Sequence, residues 1–219
     1  MASTPASFGS DFQRARAELF RGQIALFSSL DAEAPALLLN AAKGLEAFDA
    51  ALARDTYLDA WAAALLVGRL APGGSRLLEV SRAARSAPRP EGPPRASDLL
   101  LDGLATLVTE GCAAAGPLLR EATRTFSDDQ FWSEAGLRWG WLTVLPTYVL
   151  WDEESTRRIC MRQIRALRDT GALALLPLDL QTFCVVAARC GDFADAAAAI
   201  TEADAVREVT GAGVVPWGR

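Results

Sequence analysis

Three glycines at equal spacings, Gly171, Gly191 and Gly211, each follow a run with helical periodicity. A glycine there can adopt the left-handed conformation that closes a helix, so all three read as helix stops. Asp192 stands where it can cap the next helix, and that helix would carry Phe193, Ala196, Ala197, Ile200 and Ala203 along one face. The small residues Ala196 to Ala199 allow two helices to approach closely. Such a pair cannot bury its apolar face alone, and a stack of pairs can do so without any strand.

Extended along the chain, the same pattern predicts an all-α fold, a tetratricopeptide-like superhelix of about five antiparallel helix pairs recurring about every forty residues. A flexible tail is expected over 1–10, the helical-repeat domain over 11–213, and a truncated tail over 214–219. In the first pair, Phe12, Ala15, Leu19 and Leu26 lie beside Phe20, Ile24 and Phe27, a face wide enough to be buried from two directions. Gly22 in its middle marks a tight helix crossing. Asp31 caps the second helix, in which Leu38, Ala41, Leu45 and Phe48 form the stripe.

The second pair carries Tyr57, Trp61, Ala64 and Gly68, then an Ala71-Pro72-Gly73-Gly74 turn, then Leu77, Val80 and Ala84. An exposed Pro/Arg-rich loop over 87–96 follows, read as a connection within one array. The third pair places Ala115, Leu119, Ala122 and Phe126 inward, with Ser127 and Asp128 capping what comes next. The fourth unit is aromatic, with Phe131, Trp132, Trp139, Trp141, Tyr148 and Trp151 ahead of a cap at Asp152.

Composition narrows the chemistry. A net charge of −5 argues against a general nucleic-acid surface, and no apolar run is long enough to span a bilayer, so the expected location is cytoplasmic. The chain has no histidine, and its four cysteines, Cys112, Cys160, Cys184 and Cys190, show no CxxC spacing. Zinc sites and histidine-based acid–base chemistry are therefore not expected, nor is any cofactor, and the cysteines read as buried thiols.

Several blocks resemble the middle region of ATP-dependent LuxR-type transcriptional regulators of the MalT-like group. They are Arg16 to Ala25, EAFDAALARDTYLDAWA from Glu46 to Ala62, LLEVSRAAR from Leu77 to Arg85, ASDLLLDGLATLVTEG from Ala96 to Gly111, GLRWGW from Gly136 to Trp141, and GDFADAAAAITEADAVREVTG from Gly191 to Gly211. The resemblance implies a sensor and relay segment between an ATPase module and a DNA-binding helix-turn-helix. No GxxxxGK[ST] loop and no helix-turn-helix pattern occurs here, so ATP and DNA binding would belong to parts of the parent protein outside this chain.

The function expected on this basis is a non-catalytic module that binds a protein partner or small effector. Its candidate surface is Trp139, Trp141 and Trp151 with Arg158, Arg162 and Arg165. Aromatic clusters supply walls for small-molecule sites, and an arginine face receives acidic or phosphate-bearing partners. The same residues also have plain readings. Tryptophans pack between repeats, and Glu153 and Glu154 stand four residues before Arg157 and Arg158, an arrangement that suits a solvated face and the helix dipole.

The alternatives are a plain repeat scaffold, or a self-standing all-α enzyme holding magnesium through Asp128, Asp129 and Glu134 with Asp152 to Glu154. Helix capping accounts for the same acids. The arginines between Arg76 and Arg95 lack the interleaved aromatic residues of a nucleic-acid platform.

Overall fold

The structure is a computed structural model that describes residues 5–29, 31–68, 75–127 and 138–211. Among these the protein is all-α, without a strand. The chain separates into two compact units, Met1–Ala115 and Gly116–Arg219. The proline-rich connection lies inside the first unit and does not divide the chain.

The first unit contains α1 (Pro5–Ser29), α2 (Ala34–Leu45), α3 (Ala50–Gly68), α4 (Ser75–Ser86) and α5 (Ala96–Glu110), and each helix packs against the next. The first helix starts earlier than expected, since Pro5 fits a first turn where its missing N–H is not needed. The Ala71 to Gly74 turn lies outside the described residues. Gly22 does mark a close crossing: a Cβ there would sit 2.7 Å from Leu38 Cγ. Leu38, Ala41 and Leu45 are buried, but Phe20 and Ile24 of α1 are exposed, so its second apolar face is not covered among the described residues.

Asp31 accepts a hydrogen bond from the Glu33 amide at 2.9 Å, but α2 begins only at Ala34, with Glu33 at its N-cap. A cap that sequence reasoning missed is Asp49, which accepts from the Leu52 amide at 2.9 Å and starts α3.

Helix α6 (Cys112–Ser127) spans the point of division, and Ala115, Leu119, Ala122 and Phe126 are buried as expected. A 3-10 turn (Gly140–Thr143) leads into α7 (Val144–Leu150), α8 (Glu153–Asp169), α9 (Leu176–Cys190) and α10 (Phe193–Thr210). The second unit's core joins Val144, Ile159, Ile164, Leu167, Leu180, Phe183 and Val186 to Ala196, Ala199 and Ala203. Gly171, Gly191 and Gly211 all take positive φ, at 70°, 85° and 67°.

Two expectations fail in this unit. Phe193, Ala197 and Ile200 of α10 face solvent, and Ala196, Ala199 and Ala203 turn inward with Val206 half-buried beside them, so the buried stripe is rotated by roughly a quarter turn from the one expected. Close packing against α9 favours the alanine side, and the larger residues are turned out. Asp192 sits at the N-cap of α10 without a capping bond, because its carboxylate takes Arg157 Nη1 at 2.6 Å.

Candidate functional site

The chain holds two polar constellations, one in each unit. In the first unit, Arg54 of α3 is almost fully buried, and its Nε donates to Asp98 Oδ1 and its Nη2 to Asp102 Oδ1, both at 2.6 Å. Arg95 donates to both oxygens of Asp55, at 3.1 and 2.9 Å, and its Nε to Asp98 Oδ2 at 2.9 Å. Arg89 reaches Asp102 Oδ2 at 3.1 Å. Burial pushes the Asp98 carboxyl up, but hydrogen bonds from Arg95 and Arg54 outweigh it and hold its pKa below the usual carboxylate range.

Three arginines and three aspartates therefore neutralise one another and fasten both ends of the proline-rich connection to α3 and α5. Arg76 pairs with Glu79 and Arg85 with Glu110, so four of the five arginines between Arg76 and Arg95 are engaged by acids. That leaves little positive charge for a nucleic acid. The network is fully satisfied, and its chemistry is structural.

The second constellation is open. Helix α7 ends on Trp151, which adopts left-handed angles, φ 56° and ψ 32°. The amide of Asp152 then bonds Thr147 O, as that of Ala172 bonds Leu167 O and that of Asp192 bonds Ala187 O. These are three copies of one helix closure. Trp151 thus stands one equal step before Gly171, in the position that glycine fills at the other two.

Its side chain is 79 % exposed. Arg189 of α9 lies over both the Trp151 ring, at 5.4 Å, and the Tyr148 ring, at 5.2 Å, while its Nη2 is held by Glu153 at 2.9 Å. Beneath this brace is an open recess of about 210 Å³, counting solvent at its mouth, with Thr147, Thr156 and Val186 at its base. Thr156 donates within the pair of threonine hydroxyls, whose oxygens are 2.7 Å apart. Tyr148 Oη is buried and has no partner, and burial, with the nearby Cys160 thiol, pushes its pKa up to about 12.

The expected surface residues are not brought together here. Trp151 alone of the three tryptophans lines the recess; Trp139 is buried with Arg138 over its ring, at 4.8 Å, and Trp141 is half-buried. Arg158 pairs with Glu154, Arg162 donates to Ser127 O, and Arg165 donates to Met161 O of its own helix. Glu153 serves Arg189 rather than Arg157, and Arg157 bonds Asp192 and Asp195 instead. Sequence reasoning missed these links across helices, together with Arg168 on Glu202 at 2.6 Å. Helical spacing reports neighbours on one helix and carries no signal for them.

The acids offered for magnesium have other occupations where they are described. Asp152 accepts from the Ser155 amide at 3.0 Å, which keeps its pKa low, and Glu153 and Glu154 pair with arginines. Asp128, Asp129 and Glu134 lie outside the described residues, as do Phe131, Trp132 and 214–219. The cysteines also depart from expectation: Cys160 is buried and Cys184 half-buried, but Cys112 and Cys190 are exposed at helix ends. An apolar neighbourhood in sequence does not say which side of a helix faces out.

Among the described residues no helix is long and apolar enough to cross a membrane. Comparison with known proteins finds no matching family model, no similar curated protein and no similar solved structure.

Proposed function

We propose that this chain is a non-catalytic helical-repeat interaction module of an ATP-dependent LuxR-type regulator, which binds a protein partner and relays its presence to ATPase and DNA-binding domains of the parent protein. The observation that carries the interaction reading is the outward side of α10. Phe193 and Ile200, which share one face, are exposed, while the side chains the same helix turns inward are mainly alanines, with Val206 half-buried beside them. Large apolar side chains turned to solvent along one element mark contact surfaces. The sequence blocks quoted above support the regulator reading, and helices packed in chain order support a repeat array, where small changes per unit add along the stack.

The interaction reading is tested by placing a photo-crosslinking residue at position 200 in the full chain in cells, with position 154 as a solvated control. One discrete adduct, identified by mass spectrometry and lost on Phe193→Ser, is the expected outcome. Identical labelling at both positions would contradict it. Sequencing the reading frame on either side tests the parent: a phosphate loop upstream and a helix-turn-helix downstream are expected, and finding neither in a complete frame rejects that assignment.

A further inference from the structure

The connection 87–95 joins α4 to α5, and the function proposed above makes no use of it. Elsewhere α5 passes to α6 through Gly111 alone, and α9 to α10 through Gly191 and Asp192, so joining two helices does not by itself call for a stretch of this length. Both of its ends are fixed. Ala87 is buried, Arg89 reaches Asp102, and Arg95 is held by Asp55, Asp98 and the Ala51 carbonyl. Between them Pro88, Pro93 and Pro94 are exposed, and among the described residues no backbone group from 88 to 94 forms a hydrogen bond. The buried ion pairs thus hold in place a stretch that itself buries little.

We propose that this strap presents Pro93 and Pro94 to an aromatic-lined, proline-binding groove on a partner protein, a contact carried by the first unit, whereas α10 belongs to the second. A proline pushes the residue before it toward extended backbone, which here applies to Ala87, Arg89 and Pro93. Arg95 has φ −76° and ψ 162°, the angles of polyproline II. Gly92 turns the chain with φ 99°, which glycine does without a Cβ penalty, and so sets Pro93, Pro94 and Arg95 apart as one extended arm. Its inner residue is the anchor and its outer residues are the prolines.

The chemistry of this arm selects its partner. Pro93 and Pro94 carry no N–H, so they offer flat apolar rings and carbonyls without internal partners. Tryptophan and tyrosine match both, with flat faces for the rings and an N–H or O–H for the carbonyls, and grooves lined by them take polyproline II segments. Because the ion pairs fix the arm beforehand, docking orders little. Other partners fit less well. A nucleic acid would meet arginines already engaged by Asp55, Asp98 and Asp102, with Glu91 exposed beside them. None of the exposed large apolar side chains lies within 75–110, so a membrane or an apolar helix has nothing to bury there.

The test places a photo-crosslinking residue at position 91 of the full chain, in a lysate of the cells that make it, with position 154 as the control. One discrete adduct is expected at position 91, and mass spectrometry should map it to a partner peptide that contains tryptophan or tyrosine. A proline decamer at about 1 mM should suppress that adduct, and a glycine–serine decamer should not. Pro93→Ala combined with Pro94→Ala should lower its yield about 10-fold, while the melting temperature falls by no more than a few degrees because both rings are exposed. The proposal is overturned if position 91 labels no more than position 154, if the adduct survives the proline decamer or the double variant, or if the mapped peptide has no aromatic residue. The adduct at position 200 is a separate readout on the second unit, so its persistence in any of those cases would leave the α10 reading standing.

Discussion

The two units resolve the same problem of buried polarity in opposite ways. In the first, Arg54 is buried at 2 % exposure and every oxygen it needs is supplied by Asp98 and Asp102. Trp61 Nε1 donates to Ser81 Oγ at 3.1 Å, and Tyr57 Oη to Glu46 Oε1 at 2.5 Å. In the second unit, Thr123 Oγ1, Tyr148 Oη, Asp179 Oδ2 and Gln181 Oε1 are buried without partners; among the described residues no such atom lies in the first. Exposed apolar side chains do not separate the units, since Trp151, Phe193, Ile200 and Val209 face outward in the second and Phe20 and Ile24 in the first. A unit whose polar groups are all paired inside holds one arrangement firmly, whereas buried polar atoms left without partners cost the second unit stability.

The strongest way to break this contrast is Arg54→Ala. It leaves two carboxylates without their cation in a buried setting, and a loss of about 3–5 kcal/mol is expected in denaturant unfolding of the first unit. A loss below about 1 kcal/mol would mean that the network is as expendable as surface pairs. Next is Gly22→Ala. The added methyl would press on Leu38 at 2.7 Å, and about 1–3 kcal/mol should be lost despite alanine's better helix propensity.

Asp179 sharpens the contrast from the other side. It is 3 % exposed in the first turn of α9, its Oδ2 has no partner, and burial pushes its pKa well above the ordinary range. Asp179→Leu should therefore stabilise the second unit at neutral pH by about 1–2 kcal/mol. Its protonated form favours the fold. The contribution is fully present below the unfolded pKa, about pH 4, and declines as pH rises above that.

Asp98 has the opposite sign, because its depressed pKa gives stability that is present above the unfolded value and lost as pH falls. Hydrogen exchange followed by mass spectrometry at about pH 2, pH 4 and pH 8, with intrinsic exchange rates corrected, should show peptides around 98–102 less protected at about pH 2 than at about pH 4. Peptides around 176–183 should show less protection at the alkaline end, and Asp179→Asn should remove that second trend. The smallest effect belongs to Glu154→Ala, which removes an exposed pair with Arg158 and should cost under about 0.5 kcal/mol by thermal melting.

Local periodicity and breakers made the helices legible. Gly171, Gly191 and Gly211 announced their own left-handed angles, the exposed stretch from Pro88 to Pro94 its lack of helix, and Leu119, Ala122 and Phe126 their inward face. The candidate site was legible only in part. Trp151 was singled out as an aromatic residue, but its equal spacing with the three glycines went unread because it is not a glycine.

What the amino-acid order determined by itself was that the chain is helical and where its glycines stop helices, since backbone conformation there depends on the residue in place and a few neighbours. What only the tertiary structure decided was which faces met and which charges paired: α10 rotated to set its alanines inward, Arg157 crossed to Asp192, and Arg189 settled over Tyr148 and Trp151. The physical reason is range. A helix stop is a matter of one residue's φ, whereas an ion pair between residues tens of positions apart exists only after packing has brought their helices together.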